Sequence, residues 1–180
     1  MTATQAAMGL PVRFDQDVFD ILVPKLNLLR DALGVPIALE NGTIFSAIPD
    51  PDMTETDFFN RLYDEAGCGM LLDLHNLYAN TLNLGVSGQD YLAALNPEAV
   101  VEIHLAGGDW LKAHYTDSHS RPTPPLVWEW AWTWAPRFPN LRAITFEYHE
   151  SYHKRLGSAG VAEEIEHMHD LASAVADARR

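Results

Sequence analysis

Carboxylates and histidines recur in this sequence at the ends of short apolar segments. Four of them stand at or near such ends: Glu40, Asp73, His104 and Glu147. Carboxylates neutralise the charge of a hard cation and can bridge two ions, while neutral imidazole supplies a directed nitrogen donor. A mixed set of this kind suits iron, manganese or zinc. The residue types therefore predict a metal site, provided that the fold brings the four segments together.

Further candidate ligands or supporting groups lie close to these four in the sequence, and they are Asn41, His75, Asn76, Asp117 and His119. Each alone could be a helix cap or a surface group, so the prediction depends on their recurrence. Asp73 and Glu147 stand inside strongly apolar segments, where an ionised carboxylate is costly unless it is paired or bound to a metal. Strict alternation along a strand would place Asp73 and His75 on one face, so that His75 could also be a ligand.

The segments that carry these residues alternate between strand and helix patterns. Four short apolar runs are predicted as strands, over residues 35–41, 69–76, 100–108 and 141–150. Apolar residues at helical spacing, together with capping residues, predict helices over residues 17–33, 54–67, 88–95 and 161–178. A long polar loop is expected between the third and the fourth strand.

The tryptophan-rich segment 127–134, VWEWAWTW, fits two patterns. It alternates as a strand does, but it also places tryptophans four residues apart, as a helix would. On a helix, Trp128 and Trp132 would share a face well separated from that of Trp130 and Trp134, which is too wide for one buried stripe. Part of the indole surface is therefore expected to lie in the core, and part is expected to lie on the surface, where it would contact a partner or a peptide.

The order of elements predicts an α/β fold of the TIM-barrel-like (β/α) type, with about four parallel strands, flanking helices and a sheet buried on both faces. Such a fold brings the carboxyl ends of its strands to one face, where the polar residues would meet. The chain has 180 residues, whereas a closed eight-stranded barrel typically needs about 250. We expect a half or partial barrel over residues 11–180, preceded by a flexible leader over residues 1–10. An open half barrel exposes its edges and inner face, which predicts a homo-oligomer or a second subunit.

Charge and composition exclude several kinds of partner. With 25 acidic against 12 basic residues and a formal net charge of −13, the chain lacks the clustered Lys and Arg that bind nucleic-acid phosphates. No apolar run approaches the ~18 residues of a membrane span, and the N-terminus lacks the pattern of a secretory signal. The single cysteine, Cys68, cannot form an intramolecular disulfide and is expected to be a small buried group. These features predict a cytoplasmic protein without a nucleic-acid or membrane partner.

Six motifs stand in a characteristic order: LENG at 39–42, GCGMLLDLHNLYAN at 67–80, EIHLAGG at 102–108, TDSHS at 116–120, PPLVW at 124–128 and FEYHE at 146–150. In these motifs, and in their approximate spacing, the sequence resembles the multinuclear non-haem iron-dependent oxidative enzymes. That family has a TIM-barrel fold. The resemblance extends from about Phe19 to the end of the sequence.

The resemblance implies two or three iron ions that activate dioxygen and oxidise a residue, often a cysteine, of a ribosomally made peptide. It also implies a ligand set, and the matching positions are Glu40, Asp73, Asn76, His104, Asp117, His119 and Glu147. The chain has His75 where relatives commonly have asparagine, and His149 where many have an acid. These two residues and Asn41 are candidate extra ligands or supporting groups. No residue is singled out as catalytic.

The length of the sequence leaves other functions open. Full barrels of the family carry further histidine ligands on an N-terminal half that has no counterpart in these residues, so the number of ions is not predicted. One alternative is a zinc- or manganese-dependent isomerase or hydrolase on a similar barrel, in which the metal polarises a carbonyl or activates water. Another is a non-catalytic half barrel that binds a partner or a peptide.

Overall fold

Helices and strands alternate along the chain in the computed structural model, which describes residues 12–47 and 49–180. The strands are β1 (Ala38–Glu40), β2 (Gly69–Asp73), β3 (Val100–Leu105), β4 (Asp109–Leu111), β5 (His114–Thr116) and β6 (Ala143–Phe146). The helices are α1 (Gln16–Leu33), α2 (Glu55–Ala66), α3 (Leu74–Leu84), α4 (Gly88–Ala94), α5 (Pro125–Trp134) and α6 (His153–Ala178). None of the helices in this part of the chain is long and apolar enough to cross a membrane.

Four of the strands form one parallel sheet in the order β1-β2-β3-β6. Each connection between neighbouring strands contains at least one helix, as parallel pairing requires. The predicted TIM-barrel-like α/β fold is confirmed as a partial barrel. Within the described residues the sheet stays open and does not close on itself.

Local signals set the point at which β2 begins. Thr54 and Asp57 form a capping box at the start of α2, in which the side chain of each accepts the backbone N–H of the other. Gly67 ends the helix with a left-handed φ of 61°. Cys68 follows and is buried, as predicted, and burial raises the pKa of its thiol to about 11. The chain then enters the strand that ends in Asp73.

The face of the sheet that turns towards the helices is apolar and sealed from solvent. Met70 and Leu72 of β2 and Ile103 and Leu105 of β3 are no more than 1% exposed. They pack in one cluster with side chains of α3, α5 and α6. Since burying such a side chain contributes roughly 1.5–3 kcal/mol, this layer holds the strands at a common level.

The tryptophan-rich segment is helical, so the alternative strand interpretation is wrong. The helix α5 begins with Pro125, whose fixed φ suits a first turn. Trp130 packs so closely on Gly88 that a Cβ atom there would lie 2.5 Å from the indole ring. Trp132, by contrast, is 43% exposed. As expected for the helical pattern, part of the indole surface is in the core and part is at the surface.

The opposite face of the sheet, here called the inner face, is not covered by helices of the described residues. Strand register and alternation assign to it Ala38, Glu40, Gly69, Leu71, Asp73, Glu102, His104, Ala143 and Thr145. Ala38 and Ala143, on the two edge strands, are exposed. The expectation of a sheet buried on both faces is therefore wrong for the described residues, because four strands cannot curl far enough to enclose their own inner face.

The second predicted strand is too long, because its last three residues belong to a helix that was not predicted. It ends at Asp73 and not at residue 76, because the Asp73 carboxylate accepts the Asn76 N–H at 2.7 Å and starts α3. The next predicted helix, over residues 88–95, corresponds to α4. The sequence pattern did not indicate α3, because its first turn continues the apolar alternation of the strand.

The remaining boundaries also differ from the predictions. The strands β1, β3 and β6 are shorter than the predicted runs, and Val35, at the start of the first run, is half exposed. The predicted polar loop after the third strand contains the antiparallel hairpin of β4 and β5. The final helix begins at His153, earlier than predicted, and is interrupted at Gly157, which has a left-handed φ of 68°. The predicted leader, residues 1–10, lies outside the described residues.

Asn41 joins the ends of β1 and β2. Its side-chain amide donates to the Asp73 carbonyl at 2.9 Å, and its oxygen accepts the Asp73 N–H at 2.8 Å. The side chain is buried. The position of the Asp73 backbone therefore depends on Asn41, the residue that directly follows the neighbouring strand β1.

The Asn41→Ala substitution is expected to lower the free energy of unfolding by about 2–4 kcal/mol, because two buried backbone groups lose their partner. Urea denaturation of the metal-free protein, followed by circular dichroism, measures this change. The control is Gln89→Ala at an exposed position of α4, for which a change within about 0.5 kcal/mol is expected. An equally small change for Asn41→Ala would contradict the proposed connection.

Candidate metal centre

Four side chains from four strands meet at the carboxyl end of the parallel sheet. One ligand atom from each of Glu40, Asp73, His104 and Glu147 lies within 4.8 Å of the others. The first three belong to β1, β2 and β3, and Glu147 directly follows β6. Asp73 stands opposite His104 in the register of β2 and β3. The structure thus brings together the four strand-end residues that the sequence singled out.

Asp117 and His119 reach the same place from the loop after β5. His119 Nε2 lies 2.8 Å from Asp117 Oδ1 and 3.5 Å from Glu147 Oε2. His104 Nδ1 lies 3.3 Å from that same oxygen of Glu147. The Glu147 carboxylate therefore stands between two imidazoles, one from the sheet and one from the loop.

The backbone at His119 is strained. Its φ of 48° is in the left-handed region, which costs a residue with a side chain about 1–2 kcal/mol. The His119 carbonyl accepts the His149 N–H at 2.9 Å, so the segment after β6 holds the loop in place. Strain of this kind persists only where the surroundings enforce it, and it is common at functional sites.

Three candidate ligand atoms are buried without a hydrogen-bond partner: Asp73 Oδ2, His104 Nδ1 and His119 Nε2. The two imidazole nitrogens lie near carboxylate oxygens, but not in a direction that forms a hydrogen bond. A buried polar atom without a partner costs about 1–3 kcal/mol. A cation bound between these groups would satisfy all three atoms. The arrangement and the donor types therefore fit a metal ion held by these residues.

His75 supports Asp117 and does not enter the cluster. Its ring is fully buried, with Nδ1 2.9 Å from Asp117 Oδ1 and Nε2 3.4 Å from the Tyr115 hydroxyl. The Tyr115 hydroxyl in turn accepts the Gly108 N–H at 3.0 Å. Because α3 begins directly after Asp73, His75 does not share a strand face with Asp73. The expected alternation is therefore wrong at this position.

Asn76 lies beside Glu40 at the edge of the cluster. Its amide nitrogen donates to Glu40 Oε1 at 3.3 Å and to the Asn41 carbonyl at 3.0 Å. Its oxygen accepts the Thr43 hydroxyl. Asn41 binds the backbone of Asp73, as described above, so its amide supports the site from the neighbouring strand. Both asparagines thus fix the positions of carboxylates.

The structure places His149 outside the cluster. His149 is exposed, and its Nδ1 accepts the Ser151 N–H at 3.2 Å. Its contribution to the site in this structure is the backbone N–H that binds the His119 carbonyl.

Among the described residues, no Lys or Arg pairs with the carboxylates of the cluster. Within residues 12–47 and 49–180, the ion pairs of Glu40, Asp117 and Glu147 are all with histidines. Burial raises the pKa of Asp73 well above its ordinary value, and the neighbouring carboxylates raise it further. Burial also raises the pKa of Glu40, which His104 partly opposes. Ionising these carboxyl groups together is energetically unfavourable. A bound cation would reduce this cost.

Asp117 behaves differently because it has two imidazole partners. Burial alone would raise its pKa, but the imidazoles of His119 and His75, whose nitrogens lie 2.8 and 2.9 Å from Asp117 Oδ1, outweigh burial and lower the pKa below the usual carboxyl range. In return, Asp117 raises the pKa of His119. Asp117 is therefore the carboxylate of this site that most readily stays ionised.

Glu102 is a residue of the site that the sequence reasoning missed. It stands two residues before His104 on β3 and therefore on the same face of the sheet. Its Oε1 lies 3.2 Å from His104 Nε2 and accepts the Thr145 hydroxyl at 2.8 Å. Alternation along β3, the argument applied to Asp73 and His75, could have found it. No sequence signal indicated Tyr115.

An apolar cavity of about 790 Å³ adjoins the cluster. Its polar end is formed by Glu40, Asn76 and Asp117. Its apolar wall includes Leu22, Leu39, Ile44, Phe45, Phe58 and Phe59. Glu55 also lines it, and burial raises the pKa of this carboxyl group to about 7. A cavity of this size and character is typical of sites that bind small molecules or side chains.

A family model described as RiPP precursor modification enzyme MbnB/TglH/ChrH matches residues 2–172. A curated protein from Chromobacterium violaceum is 40% identical over 119 residues, which is 66% of this chain and 43% of the relative. One from Rhizorhabdus wittichii is 35% identical over 119 residues, covering 66% and 42%. One from Caulobacter vibrioides is 31% identical over 135 residues, covering 75% and 48%. All three are named only "UPF0276 protein", and the chain spans less than half of their length.

The Asp73→Asn substitution separates the charge of this residue from its role as a helix cap, since asparagine caps a helix as well as aspartate does. In the metal-free protein at neutral pH, the variant is expected to be more stable than the wild type. The reason is that the pKa of Asp73 is higher in the folded protein than in the unfolded chain. The free energy of unfolding of the wild type therefore falls as the pH rises above the unfolded pKa. The difference should vanish towards acidic pH, where Asp73 is protonated in both states.

Urea denaturation in the presence of a chelator, at about pH 3 and at pH 7, measures this difference, since the unperturbed pKa of aspartate is about 3.9. The matched control is Asp64→Asn at an exposed position of α2, which should leave the midpoint unchanged. A wild type that is more stable than Asp73→Asn in chelator at pH 7 would show that the buried charge is compensated within the protein.

Proposed function

Because the chain belongs to the RiPP precursor modification enzyme MbnB/TglH/ChrH family, we propose that it is the metal-bearing part of an iron-dependent oxidative enzyme. Its substrate would be a ribosomally made precursor peptide, and its target a side chain of that peptide such as cysteine. The six motifs of the sequence and the carboxylate–histidine cluster support the same proposal. Glu40, Asp73, His104 and Glu147 belong both to these motifs and to the cluster.

The observation that carries the proposal is the set of buried ligand atoms without partners. Asp73 Oδ2, His104 Nδ1 and His119 Nε2 are unsatisfied, and they stand among carboxylates that no Lys or Arg of the described residues neutralises. A site built for hydrogen bonding would pair these atoms with each other. A site built for cations leaves them free.

The proposed ligands divide into two groups around Glu147. Glu40, Asp73 and His104 would hold one ion, and Asp117 and His119 would hold a second. Glu147 would be a ligand beside both groups, since its Oε2 lies 3.3 Å from His104 Nδ1 and 3.5 Å from His119 Nε2. Asn76, next to Glu40, is the seventh proposed ligand. Iron bound here would supply the one-electron and dioxygen chemistry that amino acid side chains lack.

The residues of the chain itself would bind, orient and shield the substrate. The apolar cavity beside Glu40, Asn76 and Asp117 would take a side chain of the peptide and exclude water from the reacting group. His75 and Tyr115 would keep Asp117 ionised and in place through the chain of hydrogen bonds beneath it. A cysteine is the proposed target because sulfur ligands suit iron, so a centre that held iron would favour a thiol over other side chains of the peptide.

The barrel is proposed to be completed by a second polypeptide, either another copy of this chain or a different subunit. In the part of the chain that the structure describes, nothing covers the inner face or pairs with the outer edges of β1 and β6, which supports this proposal. The cytoplasm is the proposed location, where the lone thiol of Cys68 would remain reduced.

Metal content and solution mass, measured on the same anaerobically purified sample, test this proposal. We expect bound iron in the wild type and a loss of most of it in Asp73→Ala and His104→Ala, because each variant removes a central ligand. His167→Ala, on the exposed surface of α6, is the control and should retain the metal. A wild type that binds no transition metal, either alone or in the completed assembly, would exclude the proposed function.

A zinc- or manganese-dependent isomerase or hydrolase is the second candidate, because the same mixture of carboxylates and imidazoles also suits those ions. Oxygen uptake on addition of a precursor peptide distinguishes the two. The proposed oxidative enzyme consumes dioxygen only with peptide and only when loaded with iron. Turnover without oxygen uptake, restored by zinc or manganese, would favour the second candidate.

A further inference from the structure

Glu102 lies in a position that is energetically unfavourable for an ionised carboxylate without a stabilising partner. It projects from the inner face of β3, where its register partners are Leu71 and Ala143. Only about a third of its side chain is exposed, and within the described residues it has no Lys or Arg partner. A half-buried carboxylate between apolar neighbours is costly unless hydrogen bonds compensate it.

The hydrogen bonds of Glu102 come from two groups. Thr145, on β6, donates its hydroxyl to Oε1 at 2.8 Å. His104 Nε2 lies 3.2 Å from the same oxygen. An ionised carboxylate can only accept, so a hydrogen bond here requires the proton of the His104 imidazole to be on Nε2. In the neutral ring, the other nitrogen, Nδ1, then keeps its lone pair.

That lone pair points into the cluster. His104 Nδ1 is buried without a hydrogen-bond partner, 3.3 Å from Glu147 Oε2 and 4.0 Å from Glu40 Oε1. A neutral nitrogen among carboxylate oxygens is stabilised by a cation between them. Glu102 thus lies at one nitrogen of the His104 ring, and the cluster lies at the other.

Resting on the function proposed above, we propose that Glu102 is a positioning residue of the metal centre, which holds His104 as the Nε2–H tautomer and directs Nδ1 at the ion. A carboxylate on the distal nitrogen of a metal-binding histidine fixes the ring and raises its basicity. Thr145 extends the arrangement by orienting Glu102 from the neighbouring strand. Glu102 itself does not contact the ion.

Removal of Glu102 is expected to weaken metal binding without abolishing it. For Glu102→Ala we expect an affinity for Fe²⁺ and Co²⁺ about 10–100-fold lower than that of the wild type, since outer partners of metal ligands typically contribute this much. Glu102→Gln keeps an oxygen for the imidazole and should lose less. Affinities are measured anaerobically on the full chain by competition with a chelator, and Glu166→Ala on the exposed surface of α6 is the control.

Nitrogen NMR of the histidine rings, recorded on the metal-free protein, tests the tautomer independently of metal binding. The wild type should show His104 with its proton on Nε2, assigned by the signals that disappear in His104→Ala. In Glu102→Ala this preference should be lost while the other histidine signals remain. A structural role alone would not change the tautomer of one ring.

The outcomes are distinct. Unchanged metal affinity in Glu102→Ala, or a His104 ring with its proton on Nδ1 in the wild type, would overturn the role of Glu102 while leaving the metal site intact. If Glu102→Ala does not fold, Glu102→Gln decides by the same two measurements. A wild type that binds neither Fe²⁺ nor Co²⁺ would refute the proposed function and this inference with it.

Discussion

The structure depends on one electrostatic constraint, which is that several carboxylates are held together in a partly buried place without a basic residue among the described neighbours. Asp73 is fully buried, and Glu40 and Glu147 lie against it. Their mutual repulsion and their loss of hydration oppose folding unless positive charge enters. The His119 imidazole, whose pKa Asp117 raises, supplies part of that charge, and unpaired ligand atoms mark where the remainder is needed. The packing of the apolar layer on the other side of the sheet has to outweigh the energetic cost of holding these carboxylates together.

The sheet satisfies the constraint by geometry. Parallel strands in register end at one level, so residues that are far apart in the chain become neighbours without long side chains. Asp73 stands at the point where β2 turns directly into α3, and one of its oxygens caps that helix. The other oxygen is thereby directed into the cluster. A single carboxylate connects the strand, the helix and the site.

Support for the site extends outwards on both sides of the cluster. His75 and Tyr115 hold Asp117 through hydrogen bonds, and Glu102 bonds the distal nitrogen of His104. Such outer partners decide where a ligand atom points, which matters because a metal ion tolerates little error in direction. The uncovered inner face lies below the same ligands. Whatever completes the barrel would therefore also change the solvation of Glu102 and of the cluster.

The amino-acid sequence was enough to predict the parallel α/β architecture and the chemical groups at the strand ends, because apolar periodicity and capping residues are local properties. It also indicated that Asp73 and Glu147 need a partner. The roles of the neighbouring residues, in contrast, follow from tertiary contacts. His75 turned away from the strand face because the Asp73 carboxylate starts a helix there, and a hairpin replaced the expected loop before Asp117. Glu102 acquired its role from Thr145 on another strand. These outcomes depend on contacts between residues distant in the chain, which local spacing does not encode.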